Sequence, residues 1–341
     1  MSLKLEFRAH RFVKVGLKFC FVAGLLYFLL SHGLISMQAT AHALSQWDKV
    51  MPAVIVGFVA ACLGVVRWQY LLRVQGIFLS WTRVFELTFI GNFFNVALPG
   101  AVSGDIVKAL YIGKELKGKK APAFASILFD RVAGLSALVF VSAGALAMGL
   151  QSFMQSSIVA GIGMLLGLSL SAFLLFYVYL FIVEDRKDPI LKALKVLQSR
   201  FKFFHSVHAF YLSLRGYHHH RITVFKVLIL SICIHLLVGW SALQFARALD
   251  DGPISLLSIY LVVPLGLLIT AVPIAPAGIG TGNVAFLYLF HLIGSEHGGD
   301  TFSLMALSNI LFGALGGLIY FRFKSHSSHL SLESAALDSA P

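Results

Sequence analysis

Apolar residues come in long blocks along this chain, and the short segments between the blocks hold nearly all of its charge. A helix needs about 20 apolar residues to cross a bilayer. On that measure residues 15–35, 52–66, 124–150, 158–183, 224–245 and 302–321 predict six full membrane spans. Two other apolar regions do not fit the rule. Residues 88–98 are too short to cross comfortably, Pro99-Gly100 breaks them, and residues 104–112 begin a second short helix. Residues 254–293 are interrupted in the same way across 271–283, by Pro273, Pro276, Gly278, Gly280 and Gly282.

Charge assigns sides to these segments. Arg67, Arg73 and Arg83 precede the first broken region, and Lys114, Lys117, Lys119 and Lys120 follow it, so both flanks are cytoplasmic and the region must enter and return. Asp250 and Asp251 precede the second broken region and Glu296 and Asp300 follow it, which places both of its flanks outside. Residues 224–321 then repeat residues 52–150 upside down, each unit carrying its Pro/Gly interruption in the corresponding place. Irregular backbone at membrane depth is tolerated only where protein or a water-filled cavity covers it. Matched interruptions in opposed repeats mark the substrate site of inverted-repeat transporters. The expected fold is an all-α polytopic membrane protein with about six full spans plus two re-entrant helical hairpins in an inverted repeat. It forms one domain over residues 1–325, with cytoplasmic N- and C-termini and a disordered tail at 326–341.

Composition supports the membrane reading: hydrophobic residues are 58% and charged residues 12%, against about 45–50% and about 25% in soluble domains. The net charge of +12 is concentrated in connecting segments, which suits the positive-inside rule and argues against nucleic acid as a partner. The most basic connection is 184–222, where Lys192, Lys195, Arg200 and Lys202 alternate with Leu191, Leu194, Leu197, Phe201 and Phe204. It reads as an amphipathic helix on the anionic cytoplasmic leaflet, or as a solvated loop that only satisfies the topology rule. Cys20, Cys62 and Cys233 lie in apolar runs without metal spacing, and His218, His219 and His220 have no acid or cysteine beside them. No metal or other cofactor is therefore expected.

Polar residues inside the apolar blocks are the candidate chemistry. If Pro122 opens its helix, Arg131 lies nine residues in, about 14 Å deep at ~1.5 Å per residue and near the middle of a ~30 Å hydrocarbon core. A charge there needs a partner. Asp130 is adjacent but about 100° round the helix, so the expected pairs cross between elements: Asp105 with Arg131, or Lys108 with Asp130. Such pairs either fix helix packing or line a headgroup cavity with basic groups facing a phosphate. Asn92 and Asn95 share a helix face leading into the first break, where they bond freed backbone groups or touch substrate, and Asn283 is placed to do the same after the second. Gly134, Gly313, Gly316 and Gly317 are read as close-packing positions between helices.

Three motifs carry a family resemblance: NxxLPGxxxGDxxK from Asn95 to Lys108, SxxxDRxxG from Ser126 to Gly134, and PIAPAGIGTGN from Pro273 to Asn283. Together they closely resemble the lysylphosphatidylglycerol synthase transmembrane-region family, also called the flippase-like domain, over about residues 10–322. The chain departs from that family at Ser103, where glycine is common, and at Lys108, where arginine is common. Lysine meets phosphate as a point charge without bidentate geometry. The resemblance covers no aminoacyltransferase domain, so synthase activity is not expected to carry over with the name.

The resemblance implies a transporter in the bacterial inner membrane that moves an anionic or modified phospholipid, or a lipid-linked headgroup, between leaflets. Its substrate-contacting residues would be Asn92, Asn95, Pro99, Gly100, Gly104, Asp105, Lys108, Asp130, Arg131, Pro273, Pro276, Gly278, Gly280 and Asn283. A separate lipid-modifying enzyme would be its partner. No Walker-type phosphate loop is present, which leaves passive movement or ion coupling through Asp105 or Asp130. The competing reading is a membrane-embedded glycosyltransferase using a lipid-phosphate sugar donor, with Asp250 and Asp251 as its acidic pair. A small-solute transporter or a purely structural protein is a third.

Overall fold

The computed structural model describes residues 37–97, 103–116, 118–149, 157–201, 203–249, 252–272, 278 and 280–337. Among these residues the chain is helical throughout, without strands. In order the α-helices are α1 (Met37–Ser45), α2 (Trp47–Val74), α3 (Trp81–Ala97), α4 (Ser103–Glu115), α5 (Lys120–Met148), α6 (Ser157–Ile182), α7 (Pro189–Arg200), α8 (Phe203–Arg215), α9 (Arg221–Ala248), α10 (Leu256–Thr270), α11 (Thr281–His291) and α12 (Gly298–Leu337). A 3-10 turn, Gly216–His219, links α8 to α9.

Among the described residues five helices are long and apolar enough to cross a membrane: α2, α5, α6, α9 and the Gly298–Arg322 part of α12. They are the second to sixth spans expected from hydropathy, and the first, at 15–35, lies outside the described residues. The second span is longer than expected. Hydropathy ends it at Val66, before Arg67, yet α2 runs on to Val74. Arg67 is therefore a residue within the helix and does not flank it. α12 continues to Leu337, through residues 326–337 of the expected disordered tail, in a stretch of Ala, Leu, Ser, Glu and His with no proline to stop it.

The two broken regions form helix pairs. α3 packs on α4 and α10 on α11, with lengths of 17, 13, 15 and 11 residues. At ~1.5 Å per residue none reaches the ~30 Å of a hydrocarbon core. The first pair closes on glycine: a Cβ on Gly104 would lie 1.9 Å from the Gly91 carbonyl oxygen. Only a residue without a side chain lets the two backbones meet there.

The pairing of helices is symmetric between the two units. α2–α5 and α9–α12 exchange partners in matching fashion: α3 packs on α12 as α10 packs on α5, and α2 packs on α5 as α9 packs on α12. The central pair is α2 with α9, two 28-residue helices. They run antiparallel, with Ser241 bonded to Ala53 O near one end and Arg67 to Ser231 toward the other. Gly57 faces Ser241. When the helices are aligned end to end, Gly57 matches Ser231 and Arg67 matches Ser241, so each of these two contacts is the image of the other. Gly316 also behaves as read, since its position would put a Cβ 1.8 Å from Phe89 O where α12 lies against α3.

Apolar packing follows the same division. One buried cluster surrounds the first hairpin and holds Trp68, Leu87, Phe89, Ile112, Phe129 and Val227. The other surrounds the second hairpin and holds Ala53, Leu243, Val262, Phe286, Phe290 and Phe302. Each uses an opposite end of the α2–α9 pair, which leaves the middle of that pair between two cores.

Candidate functional site

A cavity of about 510 Å³ occupies that middle ground. Its α2 wall runs from Gly57 to Trp68 and its α9 wall from Ile234 to Val238, both centred on their helices. Both hairpins reach it at their breaks, through Asn95 and Val96 at the end of α3 and through Thr270 at the end of α10 with Ala271 and Gly278 beyond it. Gly278 holds φ at +71°, in the left-handed region that glycine enters without strain.

The charges converge here. Asp105, in the first turn of α4, accepts from Lys108 Nζ at 2.9 Å and from Arg131 Nε at 2.5 Å. Lys108 Nζ also lies 4.6 Å above the Trp68 ring, a cation–π contact. Arg67, also on the cavity wall, grips Asp130 with two bonds, Nε to Oδ1 at 2.7 Å and Nη2 to Oδ2 at 2.9 Å. Its Nη1 donates to Ser231 Oγ at 3.1 Å. The bidentate fork fixes the guanidinium plane as well as its charge. Behind these groups Trp68 Nε1 donates to Ser126 Oγ, and His235 Nε2 donates to Gly134 O at 3.1 Å.

Of the two pairings expected for the charged residues, Asp105 with Arg131 forms. Lys108 with Asp130 does not: Lys108 turns back to Asp105 three residues before it, and Asp130 is taken by Arg67. Asn92, Asn95, Asp105, Lys108, Asp130, Arg131 and Gly278 all line the cavity. Asn95 accepts from the Gly104 amide at 2.8 Å, so it caps α4 from the opposing helix while facing the cavity. Gly104 is buried behind it.

Gly280 and Asn283 are not on the cavity wall. Asn283 Oδ1 accepts from Gly280 N at 3.1 Å, and its Nδ2 donates to Gly299 O and Ser303 Oγ. It closes the start of α11 and ties it to α12. Pro99, Gly100, Pro273, Pro276, Asp250 and Asp251 lie outside the described residues.

The cavity also contains polar residues that the sequence reading passed over: Arg67, Thr88, His235, Thr270 and Asn309. His235 and Asn309 sit inside predicted spans, and the rule that singled out Arg131 would have found them. Arg67 was hidden by the hydropathy cut-off that ends a span at its first charge. Among the described residues, no group of three or more His, Cys, Asp and Glu side chains is placed to hold a metal ion.

The wall combines two chemistries. Three cations (Arg67, Lys108 and Arg131) and two carboxylates (Asp105 and Asp130) give it one positive charge in excess. Gly57, Ala60, Ala61, Leu135, Leu138, Val238 and Phe312 supply apolar surface. Arg131 is the most accessible of the cations, 32% exposed against 12% for Arg67 and 10% for Lys108.

Sequence comparison bears on this arrangement. The family model described as lysylphosphatidylglycerol synthase TM region matches residues 15–313. A UPF0104 membrane protein of Pyrococcus horikoshii is 32% identical over 85 residues, which cover 24% of this chain and 25% of that protein. The match thus spans about a quarter of that relative's length. No solved structure matches the chain significantly.

Proposed function

The chain belongs to the lysylphosphatidylglycerol synthase TM region family of membrane proteins, and from that premise we propose that it is a lipid transporter that moves an anionic or modified phospholipid, or a related lipid-linked headgroup, between leaflets. The observation that carries this reading is the cavity at the middle of the α2–α9 pair, whose wall combines an excess of cations with apolar surface. A free solute would need polar contacts all round. A lipid needs them only at its headgroup, while its glycerol and chain carbons rest against apolar wall.

The excess of one positive charge suits a phosphodiester, which carries one negative charge. Arg131 is the group such a ligand would meet first, since it is the most exposed cation and its carboxylate partner Asp105 is shared with Lys108. An incoming phosphate replaces one anion with another beside Arg131, which avoids leaving a bare charge at depth. The bidentate Arg67–Asp130 pair, also on the cavity wall, stays formed during that exchange.

Binding is the direct check. Purified protein examined by native mass spectrometry is expected to retain an anionic phospholipid in preference to phosphatidylcholine. Arg131→Ala is expected to lower that preference about tenfold or more, the effect of losing one charge-assisted hydrogen bond of roughly 1.5–3 kcal/mol. Equal retention of anionic and zwitterionic lipid by the wild-type protein would contradict the reading.

A further inference from the structure

The helical hairpin α7–α8 hangs between two spans on short tethers: residues 183–188 join it to α6, and residues 216–220 join it to α9. With 12 and 13 residues, its helices are about 20 Å long, so no part of it lies far from the bilayer boundary. It is also firmly seated. Buried Asp188 caps α7 by accepting from Ile190 N and Leu191 N, and it accepts from Tyr179 OH at 2.9 Å and Tyr211 OH at 2.7 Å. Arg215, 3% exposed, ties α8 to Asp185, Asp188 and Leu180 O.

This seating decides which face looks outward. Leu191 and Leu194, the stripe that the sequence reading set against lipid, are buried against the protein. Lys192, Lys195, Val196, Ser199 and Arg200 share the opposite, exposed side of α7. Next to them, at the turn into α8, Phe201 is 57% and Phe203 74% exposed. Two uncovered phenylalanines beside three uncovered cations are costly in water. The same combination is favourable at an anionic lipid surface, where basic side chains meet headgroups and aromatic rings enter the acyl boundary.

We propose that α7–α8 is a docking element for the anionic bilayer surface beside the spans, with Lys192, Lys195 and Arg200 on the headgroups and Phe201 and Phe203 inserted below them. The short tethers favour this occupant over a soluble protein, because the membrane is within reach of the tip at all times. The assignment does not depend on what the central cavity carries.

The test uses the full chain with Cys20, Cys62 and Cys233 replaced by serine and Phe203→Cys labelled with an environment-sensitive fluorophore. Nanodiscs of phosphatidylcholine alone are compared with nanodiscs containing about one-third phosphatidylglycerol, enough to create the negative surface that attracts basic residues. In anionic discs the label is expected to be quenched by spin-labelled lipid and shielded from iodide. Replacing Lys192, Lys195 and Arg200 by glutamine is expected to weaken docking by about two orders of magnitude, at roughly fivefold per charge. These side chains are exposed, so elution of the variant as a folded protein separates a docking defect from unfolding. A label equally open to iodide in both discs, a triple variant that docks like its parent, or shielding without lipid quenching would each overturn the proposal, the last by pointing to a protein partner.

Discussion

Gly104→Ala is expected to abolish the folded first hairpin. The added Cβ would lie 1.9 Å from Gly91 O, 2.6 Å from Gly91 C and 2.9 Å from Asn95 Cγ. Two of these are backbone atoms of α3, which itself lies closely against α12 at Phe89 and Gly316. Neither wall can yield locally, so α4 must move away by more than an ångström. The cost then exceeds the roughly 1–3 kcal/mol typical of an overpacked core. The move would also break the Asn95 cap on Gly104 and carry Asp105 and Lys108 away from Arg131 and Trp68. Gly144→Ala is the control, because a Cβ there meets nothing within 4 Å and alanine favours a helix interior by roughly 0.5–1 kcal/mol. Thermal unfolding and size-exclusion profiles in detergent should show severe loss for Gly104→Ala and an unchanged or higher midpoint for Gly144→Ala. A Gly104→Ala protein as stable as its parent would contradict the hairpin geometry.

The second large effect is expected from Arg67→Gln. It leaves the Asp130 carboxylate, 15% exposed, without its bidentate partner inside a membrane helix. Removing one member of such a pair costs about 3–5 kcal/mol, whereas removing both charges is far less damaging. The double variant Arg67→Gln/Asp130→Asn is therefore expected to be more stable than Arg67→Gln alone. A double-mutant cycle of unfolding free energies should give a coupling of about 2 kcal/mol or more. Simple addition of the two single effects would show that the pair is not a unit. Neither variant is expected to transport normally, because the Arg67 guanidinium is lost from the cavity wall in both.

These residues also show where reading a sequence stops. The spans were legible because lipid demands continuous apolar surface, and the hairpins because proline and glycine interrupt it at positions where helices are short. Asp105 with Arg131 could be named as a pair because a charge at depth requires a partner. Arg67 could not, because the criterion that ends a span at a charge assumes that the charge faces lipid or headgroups. Once Asp130 neutralises it inside a cavity, α2 continues past it to Val74. The α7 stripe shows a related limit: periodicity reports that Leu191 and Leu194 need cover, and says nothing about whether lipid or protein supplies it. The matching contacts of Gly57 with Ser241 and Arg67 with Ser231 exist only when two antiparallel helices meet at mid-length. Asn283 follows its break where Asn95 precedes the first, and its amide goes to Gly299 O and Ser303 Oγ, a choice made by the approach of α12.

The central claim is that the cavity carries a lipid headgroup across the membrane, and transport in liposomes tests it most directly. Purified protein is reconstituted with headgroup-labelled anionic phospholipid, and a membrane-impermeant quencher is added outside. Inner-leaflet label should become accessible faster than in protein-free liposomes, and Arg131→Ala and Asp105→Asn should each slow this markedly while the protein stays folded. No acceleration over empty liposomes for any of several anionic lipids, or full transport by both variants, would contradict the account.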